Sequence, residues 1–344
     1  MAVPIADRVE AAALIARLAD GRIHSGAALA RALGASRSAL THALERMRSL
    51  GVDIEELPRG FRLPVPVELL EPERIRQALD KACEARIQDL DVLFELDSTN
   101  TRLLAEPPPC AGSARVLLCE LQSAGRGRRG RPWRAPFGGS LALSLGWTFA
   151  DPARAVPALS LAVGVAIARA LERQGARNIR LKWPNDVWLE DRKIGGVLVE
   201  LKSEPRAAAY AVIGIGLNLR LSAATRRLIE QDGARVAALA DAWPASPSGE
   251  SAPVARNALA AALLAELLSM LAHFESAGFA PFRAEWLSRD ALGGRPARVL
   301  GPEGAIEGLA RGVDIDGALL LESGGRLLRF VSGEVSLRLR EGNA

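Results

Sequence analysis

The chain has 344 residues, 49% of them hydrophobic and 24% charged, with a formal charge of +4; this is too long for one compact core and reads as an ordinary water-soluble protein of two or three domains. The first ten residues lack the basic start, apolar stretch and cleavage site of a secretory signal, and the apolar run 158–168 is stopped by Arg169, well short of the roughly 20 residues a membrane span needs. Cys83, Cys110 and Cys119 have neither disulfide nor zinc-site spacing, so a cytoplasmic location, reduced thiols and no membrane association are expected.

Three helical patterns open the chain. Leu14 and Leu18 share a face before Gly21; Ser25 precedes Leu29 and Leu33 and a stop at Gly34; Ser36 is a good N-cap for a helix whose apolar face is Leu40, Leu44 and Met47. That phase sends Arg37, Ser38, Thr41, His42, Glu45 and Arg48 outward. The short Gly34-Ala35 link suits a helix-turn-helix, and residues 52–63, turning at Pro58-Arg59-Gly60, suit a wing-like hairpin. Periodicity leaves a plain three-helix bundle with a polar face open. Pro64-Val65-Pro66 ends this unit as an extended connector.

Strands are expected over residues 116–121, 141–148, 197–201 and 211–219, and helices over 158–171 and 255–274, giving a mixed sheet backed by helices. Residues 244–253, rich in proline, serine and glycine, read as an exposed loop. Beyond Gly293, short strands over 297–300, 305–313, 318–321, 327–331 and 335–339 suggest a small β-barrel.

The chemistry-bearing segments lie in the middle. Gly125-Arg126-Gly127-Arg128-Arg129-Gly130 joins backbone freedom to fixed positive charge, and no carboxylate occurs between Leu121 and Ala150. Such a run suits a carboxylate or phosphate ligand, with a solvated or RNA-binding loop as the alternative. Ser98-Thr99-Asn100 and Gln122 offer donors and acceptors for an uncharged polar group, although Ser98 or Asn100 also suits a helix cap. In Lys182-Trp183-Pro184-Asn185-Asp186, Lys182 suits a phosphate and Asp186 magnesium. Lys193 precedes Gly195-Gly196 in what reads as a turn before a strand, and Asn218 ends the glycine-interrupted strand Val212-Ile213-Gly214-Ile215-Gly216-Leu217.

Taken together and in this order, these segments resemble biotin-protein ligases, and the helix-turn-helix segment with residues 304–339 resembles the flanking parts of bifunctional biotin ligase and biotin-operon repressor proteins. The resemblance covers nearly the whole chain. It implies an α+β multidomain fold: a winged helix-turn-helix DNA-binding domain at 1–66, a catalytic domain at 67–290 with a mixed sheet and helices like class II aminoacyl-tRNA synthetases, and an SH3-like β-barrel at 291–344. It implies that biotin and ATP form biotinyl-5′-AMP, with Mg2+, and that biotin then passes to a lysine of the biotin carboxyl carrier protein of acetyl-CoA carboxylase.

By the same resemblance, Ser98, Thr99, Asn100, Gln122, Arg126, Gly127, Arg128 and Lys193 bind biotin, with Arg126, Arg128 and Lys193 also catalytic. Lys182, Asn185 and Asn218 face the nucleotide phosphates, Asp186 the metal, and Trp133 packs under the loop. Ser36, Arg37, Ser38, Thr41 and His42 contact operator DNA of biotin-synthesis genes as part of a homodimer formed when the adenylate is bound. The chain departs from the family pattern in a wing about one residue short and in residues 219–253, which do not match the segment that closes over adenine. A repressor without transfer activity and a lipoate or octanoate ligase of the same fold are the competing readings.

Overall fold

A computed structural model describes residues 10–149, 158–202, 209–231, 235–242, 255–301, 304–331 and 336–339; the proline-rich segment 244–253 lies outside them. Helices α1 (Ala11–Leu18), α2 (Gly26–Ala32) and α3 (Arg37–Ser49) bury Leu14, Leu18, Leu29, Leu40, Leu44 and Met47 against one another. The hydroxyls of Ser25 and Ser36 accept from the amides of Ala28 and Ala39 at 3.2 Å and so satisfy orphan donors at two of the helix starts. Strands β1 (Glu55–Leu57) and β2 (Gly60–Arg62) form the hairpin. Phe61 bridges to the backbone of His24, and a Cβ at Gly60 (φ 142°) would fall 2.0 Å from the His24 carbonyl oxygen, which is why glycine stands there.

Arg48 departs from the outward orientation expected of it. Its guanidinium donates to the Ile54 carbonyl at 3.2 Å, pairs with Glu56 and stacks 5.9 Å from the Phe61 ring, fastening α3 to the hairpin. This helical unit rests on the end of the larger sheet: Leu121 completes its core, Phe94 and Phe137 pack on it, and Arg46 of α3 pairs with Glu95.

Next come α4 (Pro72–Gln77) and α5 (Lys81–Glu84), then β3 (Ile87–Leu96), α6 (Thr99–Ala105), β4 (Ala114–Gln122), β5 (Ser140–Phe149) and α7 (Leu159–Arg173). They are followed by β6 (Ile179–Lys182), β7 (Asp186–Leu189), β8 (Arg192–Lys202), β9 (Ala209–Asn218), α8 (Ala223–Glu230), α9 (Arg256–Ala277) and α10 (Ala280–Arg289). The seven-stranded sheet has the order β3-β4-β5-β9-β8-β7-β6, with β3 and β4 parallel and the other neighbours antiparallel. Each strand and helix expected in this region is present; the strand expected over 197–201 begins earlier, at Arg192, and the helices expected from 158 and 255 begin one residue later. Strand β3 was not anticipated because it is an edge strand whose exposed Gln88 and Asp91 interrupt the apolar run.

One face of the sheet is sealed by α7 and α9, whose leucines and alanines share a core with Leu143, Leu145, Val197, Ile213 and Ile215. By length and composition α9 is apolar enough to cross a membrane, but 67% of its most apolar window is buried inside the protein. Its first residue, Arg256, pairs with Glu120 at 2.7 Å, side chains 3% and 4% exposed, so it is a core helix.

Strands β10 (Pro296–Gly301), β11 (Gly304–Val313), β12 (Leu319–Ser323), β13 (Arg326–Phe330) and β14 (Ser336–Leu339) form a five-stranded antiparallel sheet, order β13-β12-β11-β10-β14. Its Val299, Val313, Leu319 and Leu321 join the main core, and the Trp183 indole donates to the Gly317 carbonyl at 3.0 Å.

Candidate active site

Side chains alternate across a strand, so the residues that skip the helix-backed core must face the other way. Strand register places Gly196, Gly216 and Ala142 in one row on that open face and Leu198, Gly214 and Ser144 in the next. The floor is therefore almost free of side chains. A Cβ at Gly214 would lie 2.3 Å from Asn100 Oδ1, and one at Gly216 would lie 2.4 Å from Trp133 Cε2. Both glycines exist so that Asn100 and the Trp133 indole can lie flat on the sheet.

One end of this floor holds uncharged polar groups. Ser98 caps α6, accepting from the Thr101 amide, and is 3% exposed. The Thr99 amide and hydroxyl both donate to Gln122 Oε1, at 2.8 and 3.2 Å. Ser144 Oγ stands 2.6 Å from both Thr99 Oγ1 and Asn100 Oδ1. The Asn100 amide donates to the Leu198 carbonyl at 3.2 Å and to Glu200 Oε2 at 2.8 Å. Arg126 Nη2 donates to that same carboxylate oxygen, also at 2.8 Å. The structure thus brings Ser98, Thr99, Asn100 and Gln122 together, and turns the Arg126 guanidinium toward Glu200.

The arginine-glycine segment closes on itself. The Gly127 amide donates to the Arg131 carbonyl at 2.7 Å, the Trp133 amide donates to the Gly125 carbonyl at 2.8 Å, and Arg129 sits at φ 59° in a single tight turn. A Cβ at Gly125 would fall 2.5 Å from the Trp133 carbonyl oxygen, so this close return requires glycine. Arg128 Nη1 donates to Asn185 Oδ1 at 3.2 Å, and Asn185 Nδ2 donates to the Val197 carbonyl at 2.7 Å. Burial presses the Arg128 guanidinium below its usual pKa, Asp186 opposes this, and the neighbouring Arg129 adds to it. A cation so desolvated gains from any anion that reaches it.

Lys193 lies inside β8, not in a turn before it, because the strand begins at Arg192 and pairs with β7 from there. Its ammonium meets Asp186 Oδ1 at 2.6 Å and lies 5.8 Å from the Trp133 ring centroid. Lys182 is directly across from Asp186 in the β6–β7 register, its ammonium 4.5 Å over the Trp188 ring. A cavity of about 260 Å³ is lined by Arg128, Arg129, Ser160, Asn185 and residues 197–199. Asn218 is 2% exposed, donates to the Ala237 carbonyl at 3.2 Å and leaves its own Oδ1 without a partner. Among the described residues no group of three or more His, Cys, Asp or Glu could enclose a metal.

Ser144 and Glu200 were not among the expected site residues. Their signal was present: each is a polar residue in an apolar strand, in phase with the glycine or leucine of the open face. On α3, Ser36, Arg37, Ser38, Thr41 and His42 are all exposed, with Ser36 Oγ 3.0 Å from Ser38 Oγ and the Thr41 hydroxyl donating to the Arg37 carbonyl at 3.1 Å.

Comparison with known proteins agrees with this geometry. Residues 95–218 match the Biotin/lipoate A/B protein ligase family, and residues 292–338 match the Biotin protein ligase C terminal domain. The Bifunctional ligase/repressor BirA of Escherichia coli strain K12 is 38% identical over 95% of this chain and 97% of its own length. The biotin–[acetyl-CoA-carboxylase] ligase of Mycobacterium tuberculosis is 34% identical over 72% of this chain and 88% of its own. Among solved structures, the biotin protein ligase from Aquifex aeolicus in complex with biotin and ATP superposes with a TM-score of 0.60 at 28% identity, covering 74% of this chain and all (100%) of that one. The chain belongs to the biotin-protein ligase family. Within that family, the relatives matched along almost its whole length are bifunctional ligase/repressors.

Proposed function

We propose that this protein activates biotin with ATP and transfers it to a lysine of a biotin carboxyl carrier protein. The observation that carries the reading is the polarity of one glycine floor: uncharged hydrogen-bonding groups with the mutually paired Arg126 and Glu200 at one end, the partly buried cations Arg128 and Lys193 at the other. Biotin has matching ends, a polar ureido head and a carboxylate tail. Thr99, Gln122, Asn100 and Ser98 take the head group, with Gly127 and Arg126 closing over it. Lys193 and Arg128 take the carboxylate.

In the first step a carboxylate oxygen of biotin attacks the ATP α-phosphorus and pyrophosphate leaves. Both reactants are anions, so the barrier contains their mutual repulsion, and Arg128, Lys193 and Lys182 lower it by neutralising charge at fixed positions. Asn185 orients Arg128, and Asn218 adds a buried acceptor near the nucleotide. In the second step the carrier lysine attacks the acyl carbon, loses a proton and displaces AMP. Mg2+ would screen the phosphates; it takes most of its ligands from phosphate and water, so Asp186 alone suffices as a protein carboxylate. Neither step needs a covalent nucleophile on the enzyme.

The helices and hairpin at 1–66 act as a winged helix-turn-helix, with α3 presenting Ser36, Arg37, Ser38, Thr41 and His42 to operator DNA. Residues 67–290 form the catalytic domain, built like class II aminoacyl-tRNA synthetases, and residues 291–344 an SH3-like domain. A dimer formed with the adenylate bound pairs the two recognition helices. The test is to incubate the protein with ATP, magnesium, biotin and a carrier domain and to weigh the carrier. A biotinyl adduct is expected; a lipoyl adduct with lipoate and none with biotin would overturn the substrate. Binding to the promoter region of the biotin-synthesis genes, stronger with biotin and ATP than without, tests the repressor role.

A further inference from the structure

Glu200 is the acid of the uncharged end, and no part of the chemistry above uses it. It sits on β8 two residues beyond Leu198 and four beyond Gly196, hence on the open face of the sheet. Its side chain is 25% exposed, and a single oxygen, Oε2, accepts from two elements at once: Arg126 of the arginine-glycine loop and Asn100 of α6, each at 2.8 Å. Asn100 Oδ1 accepts from the Ser144 hydroxyl on β5, Ser144 Oγ lies 2.6 Å from Thr99 Oγ1, and the Thr99 amide donates to Gln122 on β4. One hydrogen-bonded chain therefore runs from the loop through the floor to the last polar residue of the head-group end.

We infer that Glu200 is a positioning residue of this site: it latches the 125–130 loop through Arg126 and, with the same oxygen, holds Asn100 flat over Gly214. The inference rests on the biotin-ligase reading. Two physical arguments support it. A carboxylate bound to a guanidinium makes a hydrogen bond roughly twice as strong as a neutral pair, which suits a bond that ties the loop to a strand of the sheet. Glu200 also cancels the Arg126 charge where the acid substrate is uncharged, so that net positive charge is left at the anionic end, where Arg128, Lys182 and Lys193 outnumber the one carboxylate Asp186. Without it, an unpaired cation would compete there for the substrate's carboxylate and favour the reversed pose.

Two variants separate the latch from a general packing role. Glu200→Gln keeps an oxygen that can accept from both donors but removes the charge; Glu200→Ala removes both bonds. In the wild-type protein, biotinyl-5′-AMP made from biotin and ATP is expected to stay bound until carrier is added. Glu200→Ala is expected to raise the escape rate of the intermediate about tenfold or more, to raise the biotin KM by a similar factor, and to speed tryptic cleavage within residues 126–131 when biotin and ATP are saturating. Glu200→Gln is expected to fall between wild type and Glu200→Ala in escape rate and cleavage, with an unfolding midpoint like that of wild type. Escape, KM and cleavage all within twofold of wild type for Glu200→Ala would overturn the latch, as would a kcat loss with no change in escape or cleavage. A wild-type protein that forms no biotinyl adenylate would overturn the ligase reading and the latch with it, whereas the unchanged Glu200→Ala values above would overturn the latch alone.

Discussion

Replacing Gly216 by alanine places a methyl group 2.4 Å from Trp133 Cε2, 2.6 Å from Cζ2 and 2.7 Å from Nε1. Carbon atoms prefer about 3.5–4.0 Å, so the indole must retreat by roughly 1 Å or more. It cannot retreat alone. The Trp133 amide is bonded to the Gly125 carbonyl, and the indole lies beside Lys193, so the shift reaches the start of the loop and the ammonium that meets the carboxylate. Overpacking of this size costs about 1–3 kcal/mol of stability, whereas a displacement of about 1 Å at reacting groups costs about 100-fold in rate, or about 2.7 kcal/mol of transition-state stabilisation. The expected outcome is a fall of about 100-fold in kcat/KM for biotin, followed as pyrophosphate release, with only a modest drop in the unfolding midpoint. Gly308→Ala is the control: its Cβ would meet the Glu322 carbonyl oxygen at 2.3 Å, a clash with backbone and so at least as large an insult to the C-terminal sheet, and it should leave kcat/KM per folded molecule unchanged. A Gly216→Ala enzyme within threefold of wild type, or an equal loss in Gly308→Ala, would refute the argument that this floor carries the substrate.

Three more outcomes follow from the same contacts. Trypsin should cut after Arg128 more slowly with biotin and ATP present than without them; equal rates would show that the loop does not close over ligand. Arg256→Ala leaves Glu120, 4% exposed on its side chain, with an uncompensated charge and should cost about 3–5 kcal/mol in urea unfolding, while Arg256→Met combined with Glu120→Gln should recover more than half of that; the reverse order would refute the buried pair as a matched unit. Burial pushes the Glu285 carboxyl up, but hydrogen bonds and charge from Arg169 and Arg289 outweigh it and hold the group below its ordinary 4.5. A lowered acid stabilises the fold fully above its unfolded value and loses that contribution as pH falls through the lowered one, so Glu285→Gln should flatten the acid limb of unfolding midpoint against pH, and an unchanged limb would refute it.

Much of the site was legible in the sequence because its requirements are local. Glycines at 125, 127 and 130 and the arginines between them announce backbone that returns closely on itself beside fixed charge; Ser25, Ser36 and Ser98 announce helix starts. What these segments face was not legible. Lys193 read as a turn residue because two glycines follow it, yet pairing with β7 draws it into β8, and only that pairing sets its ammonium against Asp186. Arg48 read as an outward charge because helical phase says nothing of the hairpin that later folds back over it.

The sequence by itself determined which segments carry the chemistry, the kind of chemistry each can perform, and the family to which their order belongs. Tertiary structure alone decided that Arg126 spends its charge on Glu200, 74 residues away, and that Asn100 reaches the same oxygen from 100 residues away. The physical reason is register: a strand turns every second residue to the same face, so a shift of one residue in the β8–β9 pairing would bury Glu200 under the helices and turn Val199 and Val197 toward the site. Composition and motif are properties of single segments, whereas register is a property of their pairing.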